Sequence, residues 1–349
     1  MKPLRILLLG CGNVGRGLVR VLAVERDRYP GLGDLEIEIV GIVTGSRGSV
    51  ANDSGADLVR ALSELEGEGR LTRPNPDSDE MAGLQAARQL DNVVLVELTP
   101  LSIELEGEEA IAYIRSALQR SRHVVTANKG PFAFAYRDLM SLADAQGVQL
   151  LHESTVMDGA PVLNMARHSL KGCRILELEG ILNSTTNYVL SRMEEGLPLT
   201  EAVELAQLQG YAEADPTLDL QGWDAAAKIC VLANAFMEAD LNPANVERRG
   251  IENVTMEELQ EVGARGERLK LICRATRQDG GVSAKVGVET VPAGHPMWSV
   301  SGTGSALRIT TDLMAPVVVV QDSPGVKDTV YGVLNDLITV AEVAEADRG

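Results

Sequence analysis

Apolar residues along this chain fall into short runs separated by polar, helix-periodic stretches. Residues 4–9 (LRILLL) form an apolar run of strand length, as a strand buried on both faces requires. Gly-Cys-Gly-Asn-Val-Gly follows at once, and Leu18, Val19 and Leu22 then recur at helical spacing. Residues 37–43, 91–98 and 123–127 are three more strand-like runs, with helical patterns over 108–120 and 136–146. Strands alternating with helices predict an α/β fold built on a Rossmann-type, doubly wound parallel sheet. The polar segment 48–83, with Pro74 and Pro76, reads as a helix plus a surface loop.

Past Leu150 the texture changes. Residues 175–182 read as a strand, 184–193 as a helix, and 200–209 as a second helix with Thr200 as its N-cap. An acidic block and another helix follow. Residues 269–276, 282–290 and 306–311 look like antiparallel strands, 317–320 like a short buried strand, and 325–343 like a last helix that returns to the first domain. The expected division is 1–150, a second α+β domain over 151–312, and a C-terminal segment over 313–349. The sequence shows neither an internal repeat nor a low-complexity tract.

With 349 residues the chain can bury a large core, and with aromatics at 3% that core must be built from Leu, Val, Ala, Ile and Met. A formal charge of −18 excludes an extended phosphate-binding surface, so neither nucleic acid nor an anionic membrane is an expected partner. It leaves room for an anionic cofactor held locally by backbone amides. Cys11, Cys173, Cys230 and Cys273 form no CxxC pair, and the histidines show no HExxH spacing, so zinc is not expected. Scattered thiols, no signal peptide and no membrane-length apolar run point to the cytoplasm.

Two stretches carry candidate chemistry. Gly10-x-Gly12-x-x-Gly15, with Asn13 and Val14 between, directly follows a strand and opens a helix, the context a dinucleotide pyrophosphate needs. The second strand ends in Thr44-Gly45-Ser46-Arg47 without the usual ribose-binding acid, which favours NADP over NAD if Arg47 meets a 2′-phosphate; a solvated loop arginine is the plainer alternative. The second stretch, 211–228, holds Glu213, Asp215, Asp219, Asp224 and Lys228. In a helix after Gly222, Asp224 and Lys228 share a face with Val231, Leu232 and Ala235, so the lysine points inward beside a carboxylate. Such a pair suits ammonium binding and proton transfer, whereas acid-then-lysine at this spacing is more often a solvated surface pair.

VELTP (96–100), TANKGPFA (126–133), HESTVMDGAP (152–161), GILNSTTNYVL (180–190) and GYAEADPTLDLQGWDAAAK (210–228) occur in this order and together resemble homoserine dehydrogenase over nearly the whole chain. The resemblance implies a nicotinamide-binding first domain, a middle segment that binds substrate and dimerises, and a C-terminal part that closes back on the first domain. It implies interconversion of L-homoserine and L-aspartate 4-semialdehyde with NADP or NAD, in threonine and methionine biosynthesis, by a homodimer. Asp224 and Lys228 would form the polar pair at the reacting oxygen, with Lys129 a rival catalytic or cofactor-binding lysine. Glu213 and Asp219, with Asp215 close by, would bind the substrate ammonium, and Ser184 and Thr185 would line the pocket. Thr99, Pro100 and Gly325 would join the cofactor contacts. Glu153, Val156 and Asp158 would resemble the family's sodium- or potassium-binding loop.

Two departures from the family matter. Ser184 stands where glycine is frequent, and a glycine-rich loop near the nicotinamide is reduced to Gly325 in DSPGVKDT. No amino-acid-sensing domain follows the last helix, so threonine feedback of that kind is not expected. The competing expectations are a related oxidoreductase acting on another small amino-acid aldehyde or alcohol, and a non-catalytic dinucleotide-binding paralogue.

Overall fold

A computed structural model gives the fold of residues 3–29, 32, 35–51, 55–71, 85 and 93–346. Strand β1 (Leu4–Leu9) lies inside a six-stranded sheet, with its last four residues buried. It pairs in parallel with β2 (Ile37–Val43), whose outer edge carries a short antiparallel strand, β3 (Ser49–Ala51). On its other side it pairs with β4 (Val94–Glu97), which continues in parallel to β5 (Val124–Thr126) and β6 (Leu150–Leu151). The order β3-β2-β1-β4-β5-β6 reverses direction between β1 and β4, which makes their carboxyl ends the expected ligand crevice of a doubly wound sheet. Ile6, Leu8, Ile39, Ile42, Val94 and Val96 form the core with Leu18 and Val19 of helix Asn13–Arg20. Helix Val326–Ala346 adds Val330, Val333, Leu337 and Val340 to this core.

A second six-stranded sheet has the order β12-β11-β7-β9-β10-β8. Its strands are β7 (Ile175–Ile181), β8 (Glu247–Arg248), β9 (Arg268–Gln278), β10 (Gly281–Val291), β11 (Ser305–Thr311) and β12 (Val317–Gln321). All its pairings are antiparallel except β8 with β10. Helix Trp223–Met237 packs on it, with Ala225, Cys230, Val231 and Leu232 fully buried. Gly222 precedes this helix in the left-handed conformation, and Glu238 ends it in the same conformation.

The chain divides into one unit of Met1–Pro131, Arg137–Gly159 and Gly325–Gly349, and another of Phe132–Tyr136 and Ala160–Pro324. The divisions near 159 and 324 lie beyond the expected 150 and 312, for identifiable reasons. Residues after β6 are tied to the C-terminal helix: the Glu153 amide donates to Asp336 Oδ2 at 2.9 Å, and Ser154 Oγ donates to the Thr329 carbonyl at 2.8 Å. β12 belongs to the second sheet through its ladder with β11.

Other expectations also change. β3 occupies part of the segment read as helix plus loop; it is only three residues long, too short for a periodic signal. β12 is an edge strand with half-exposed valines rather than a buried one, since four β-branched residues satisfy an edge as well as a centre. Thr200 is not an N-cap: helix Leu199–Leu208 starts after Pro198, which leaves Thr200 in its first turn. The first helix continues as a π-helical turn over Val21–Glu25.

Candidate functional site

In the first unit the turn after β1 has the geometry the three glycines anticipate. Gly10 sits at φ +87°, and a Cβ there would lie 2.5 Å from the Leu98 carbonyl oxygen, so no other residue fits. A Cβ on Gly15 would lie 2.7 Å from the Gly10 carbonyl oxygen, whereas one on Gly12 would meet nothing within 4 Å. That open space over Gly12 is where a pyrophosphate can approach the backbone at the helix N-terminus. Asn13 begins the helix, with its Oδ1 accepting from Arg16 Nη2 at 2.8 Å, and Val14 packs against the core.

Arg47 lies in the tight connection between β2 and β3. Its amide donates to Thr44 Oγ1 at 2.7 Å, and that hydroxyl donates to the Gly48 carbonyl. The Cys11 thiol of the glycine turn is pushed up to about 12 by burial, against the opposing fields of Arg16 and Arg47. Arg47 is half-buried, and its charge is felt at the thiol of the turn.

At the ends of β4 and β5 the structure contains a group that motif reading missed. Glu97 is fully buried and accepts from the Thr99 amide at 2.7 Å, from Thr99 Oγ1, and from Thr126 Oγ1 at 2.8 Å. Burial pushes its carboxyl up, and donors from Thr99, Thr126 and Asn128 oppose that. Asn128 Nδ2 reaches Thr99 Oγ1 at 3.3 Å and the Pro100 carbonyl at 3.4 Å. Thr99 and Pro100 are thus held by a polar network under the loop, and Lys129 follows it half-buried. The apolar VVLVE run carried no sign that its last residue is a buried acid.

In the second unit Asp224 and Lys228 form an inward pair, as the helix periodicity predicts. Lys228 Nζ lies 2.8 Å from Asp224 Oδ2 and donates to the Leu182 carbonyl at 2.8 Å. Both side chains are largely buried, which excludes a solvated surface pair. Asn183, not anticipated as a side-chain participant, donates from Nδ2 to Asp219 Oδ1 at 2.7 Å and to Asp224 Oδ2 at 2.9 Å. Thr185 is buried and its hydroxyl donates to the Tyr211 carbonyl at 2.9 Å; Ser184 beside it is half-buried. The acidic block does not gather as a whole. Glu213 is exposed. Asp215 is also exposed and caps its own turn, accepting from the Thr217 amide and hydroxyl, and these bonds lower its pKa. Asp215 therefore has the turn role that a residue before Pro216 commonly has.

The segment expected to resemble a cation loop is buried at Glu153 and Val156. Met157 and Asp158 adopt consecutive left-handed conformations, and Asp158 Oδ1 accepts from Thr329 Oγ1 at 2.9 Å. Among the described residues no group of three or more His, Cys, Asp or Glu could hold a metal ion. Gly325 is exposed, and a Cβ there would meet nothing within 4 Å, so no close approach demands glycine at that position.

Taken singly, the two units answer the two needs of a nicotinamide-dependent oxidoreductase: a backbone cradle for a dinucleotide, and an ammonium able to protonate a developing alkoxide. Comparison with known proteins narrows the class. The family model "Homoserine dehydrogenase" matches residues 161–338, and "Homoserine dehydrogenase, NAD binding domain" matches residues 10–153. A homoserine dehydrogenase of Methanocaldococcus jannaschii is 37% identical over 336 residues, covering 96% of this chain and 98% of the relative. An NAD(+)-dependent homoserine dehydrogenase of Pseudomonas canavaninivorans is 33% identical, covering 99% and 98%. The structure of a hyperthermophilic archaeal homoserine dehydrogenase in complex with NADPH superposes with a TM-score of 0.81 at 26% identity, covering 97% and 98%. The chain belongs to the homoserine dehydrogenase family.

Proposed function

We infer that this chain interconverts L-homoserine and L-aspartate 4-semialdehyde with a nicotinamide dinucleotide. The observation that carries the reading is the Asp219–Asn183–Asp224–Lys228 cluster, a largely buried lysine paired with Asp224, which Asn183 links to Asp219, in the region matched by the homoserine dehydrogenase family model. When bound, the dinucleotide supplies or accepts the hydride. Lys228 donates the proton to the aldehyde oxygen as charge grows there, and takes it back in the reverse direction. Asp224 orients that ammonium through their 2.8 Å ion pair. Asp219 and Glu213 neutralise the substrate ammonium, while amides opening helix Ser184–Glu194, flanked by Ser184 and Thr185, receive its carboxylate. Asp215 supports this reading only as the residue that shapes their turn. Lys129, with Thr99 and Pro100 on the cradle side, is the rival proton donor.

Arg47 and Arg16 beside the glycine turn support NADP as the preferred dinucleotide, because a 2′-phosphate adds charge that guanidinium groups bind well. Gly10, Gly12, Asn13, Val14 and Gly15 hold the pyrophosphate. Gly325 is the weakest of the proposed contacts, since nothing packs against it. A sodium or potassium ion would find hard oxygen donors at the Glu153 carboxylate and the carbonyls of Val156 and Asp158. The half-exposed apolar edge of β12, with Leu313 and Met314 exposed beyond β11, supports a homodimer. Four unbridged cysteines support the cytoplasm, and among the described residues no helix is long and apolar enough to cross a membrane.

The test is steady-state oxidation of NADPH and NADH with L-aspartate 4-semialdehyde and a panel of other small aldehydes. The expected result is highest kcat/KM with the semialdehyde and a lower KM for NADPH than for NADH. Higher kcat/KM with another aldehyde would move the chain to a related oxidoreductase, and a lower KM for NADH would remove the role given to Arg47.

A further inference from the structure

We propose that Asn183 is a positioning residue, whose side-chain amide holds Asp219 and Asp224 in one site while leaving that site negatively charged. The proposal rests on the reading that Asp219, Asp224 and Lys228 handle the substrate. Asn183 sits between the end of β7 and helix Ser184–Glu194 and is almost fully buried. Its Oδ1 caps the helix, accepting from the Thr186 amide at 2.8 Å and from Thr186 Oγ1 at 2.8 Å. The Thr186 backbone N–H can only donate, and it fixes which end of the amide is oxygen. Nδ2 must then face the other way, where its two hydrogens go to Asp219 Oδ1 and Asp224 Oδ2. The flipped amide would set an oxygen against two carboxylates.

The chemistry favours asparagine over any substitute. Two carboxylates brought together oppose each other's ionisation unless donors intervene. A lysine or arginine at 183 would supply donors but cancel the charge that attracts the substrate ammonium. Serine keeps the cap yet carries one short donor, and aspartate keeps the cap with no donor. Asparagine alone caps the helix on one side and bridges two acids on the other with no change in charge. Lys228, on the same helix as Asp224, and the Cys273 thiol on β9, which feels Lys228, Asp224 and Glu289, also face the cluster. Burial pushes that thiol up to about 12, so it stays neutral through the working range.

The test compares Asn183→Ser and Asn183→Asp with Lys228→Ala in the full chain, with saturating NADP⁺ and varied L-homoserine. With the bridge gone but the cap retained, Asn183→Ser is expected to melt near wild type and lose roughly 10- to 100-fold in kcat/KM for homoserine, with an unchanged KM for the dinucleotide. Asn183→Asp is isosteric and still capped. A third carboxylate there is expected to move the acid limb of kcat/KM to higher pH, a change that a purely structural role would not produce. Where turnover of that variant is too slow, the same limb is read from homoserine binding across pH. An acid limb that stays at the wild-type position in Asn183→Asp overturns the proposal. Should Lys228→Ala keep wild-type turnover, the underlying reading of the site fails instead, independently of Asn183.

Discussion

At the scale of single residues, what the sequence shows and what it hides separate by the number of roles a side chain has. Asp224 and Lys228 are legible because one spacing rule and one apolar stripe suffice. Asn183 is half legible: an Asn just before a helix reads as a cap, but its second face depends on Asp219 and Asp224, which approach only through the tertiary fold. Glu97 and Lys270 are not legible at all, since each stands in an apolar strand and only packing reveals its burial. Lys270 is fully buried, donates to Asn187 Oδ1 at 3.2 Å, and is lowered from 10.5 to about 8 by burial, with Glu194 opposing and Arg268 adding to the shift. That displacement corresponds to roughly 3 kcal/mol. Because the folded value lies below the unfolded one, the unfolded chain binds the extra proton between pH 8 and 10.5, and stability from this group rises across that window. Below it both states are protonated and the fold carries the full penalty. Lys270→Met should therefore be more stable than wild type at pH 7, less about 1 kcal/mol for the donor lost to Asn187, and this advantage should shrink towards pH 10.5. Urea unfolding at both ends of the window measures it; a difference that does not change with pH would show that Lys270 does not titrate there.

At the scale of elements, the strand–glycine–helix opening was legible because strand length, turn chemistry and helix periodicity agree within a few residues. β3, at three residues, offers no period, and the VVVV run of β12 could not reveal its place at the sheet edge. The glycine turn permits a clean separation of folding from binding. Gly10→Ala forces a Cβ onto the Leu98 carbonyl at a positive φ and should destabilise the first unit by about 2 kcal/mol or more. Gly12→Ala adds a methyl into open space, so its melting temperature should hold while the KM for the dinucleotide rises about tenfold. Melting curves and dinucleotide titrations of the two variants check this. A Gly12→Ala enzyme with unchanged dinucleotide KM would take the pyrophosphate away from this turn.

At the scale of the whole molecule, composition set the limits and motif order set the family. A charge of −18 leaves room only for local anion sites, such as the one proposed at the glycine turn. The alternation of strands and helices gave the first sheet, while the return of helix Val326–Ala346 to it depended on apolar positions more than 300 residues from β1. Each unit has its own sheet and its own part of the chemistry, and the whole reading depends on Lys228 being the proton donor. The most direct measurement is kcat for L-aspartate 4-semialdehyde reduction by purified Lys228→Ala beside wild type, at equal and saturating dinucleotide. A loss of roughly 10²-fold or more with an unchanged melting temperature is the expected result. Turnover within about threefold of wild type would contradict it and pass the proton to Lys129 or to water.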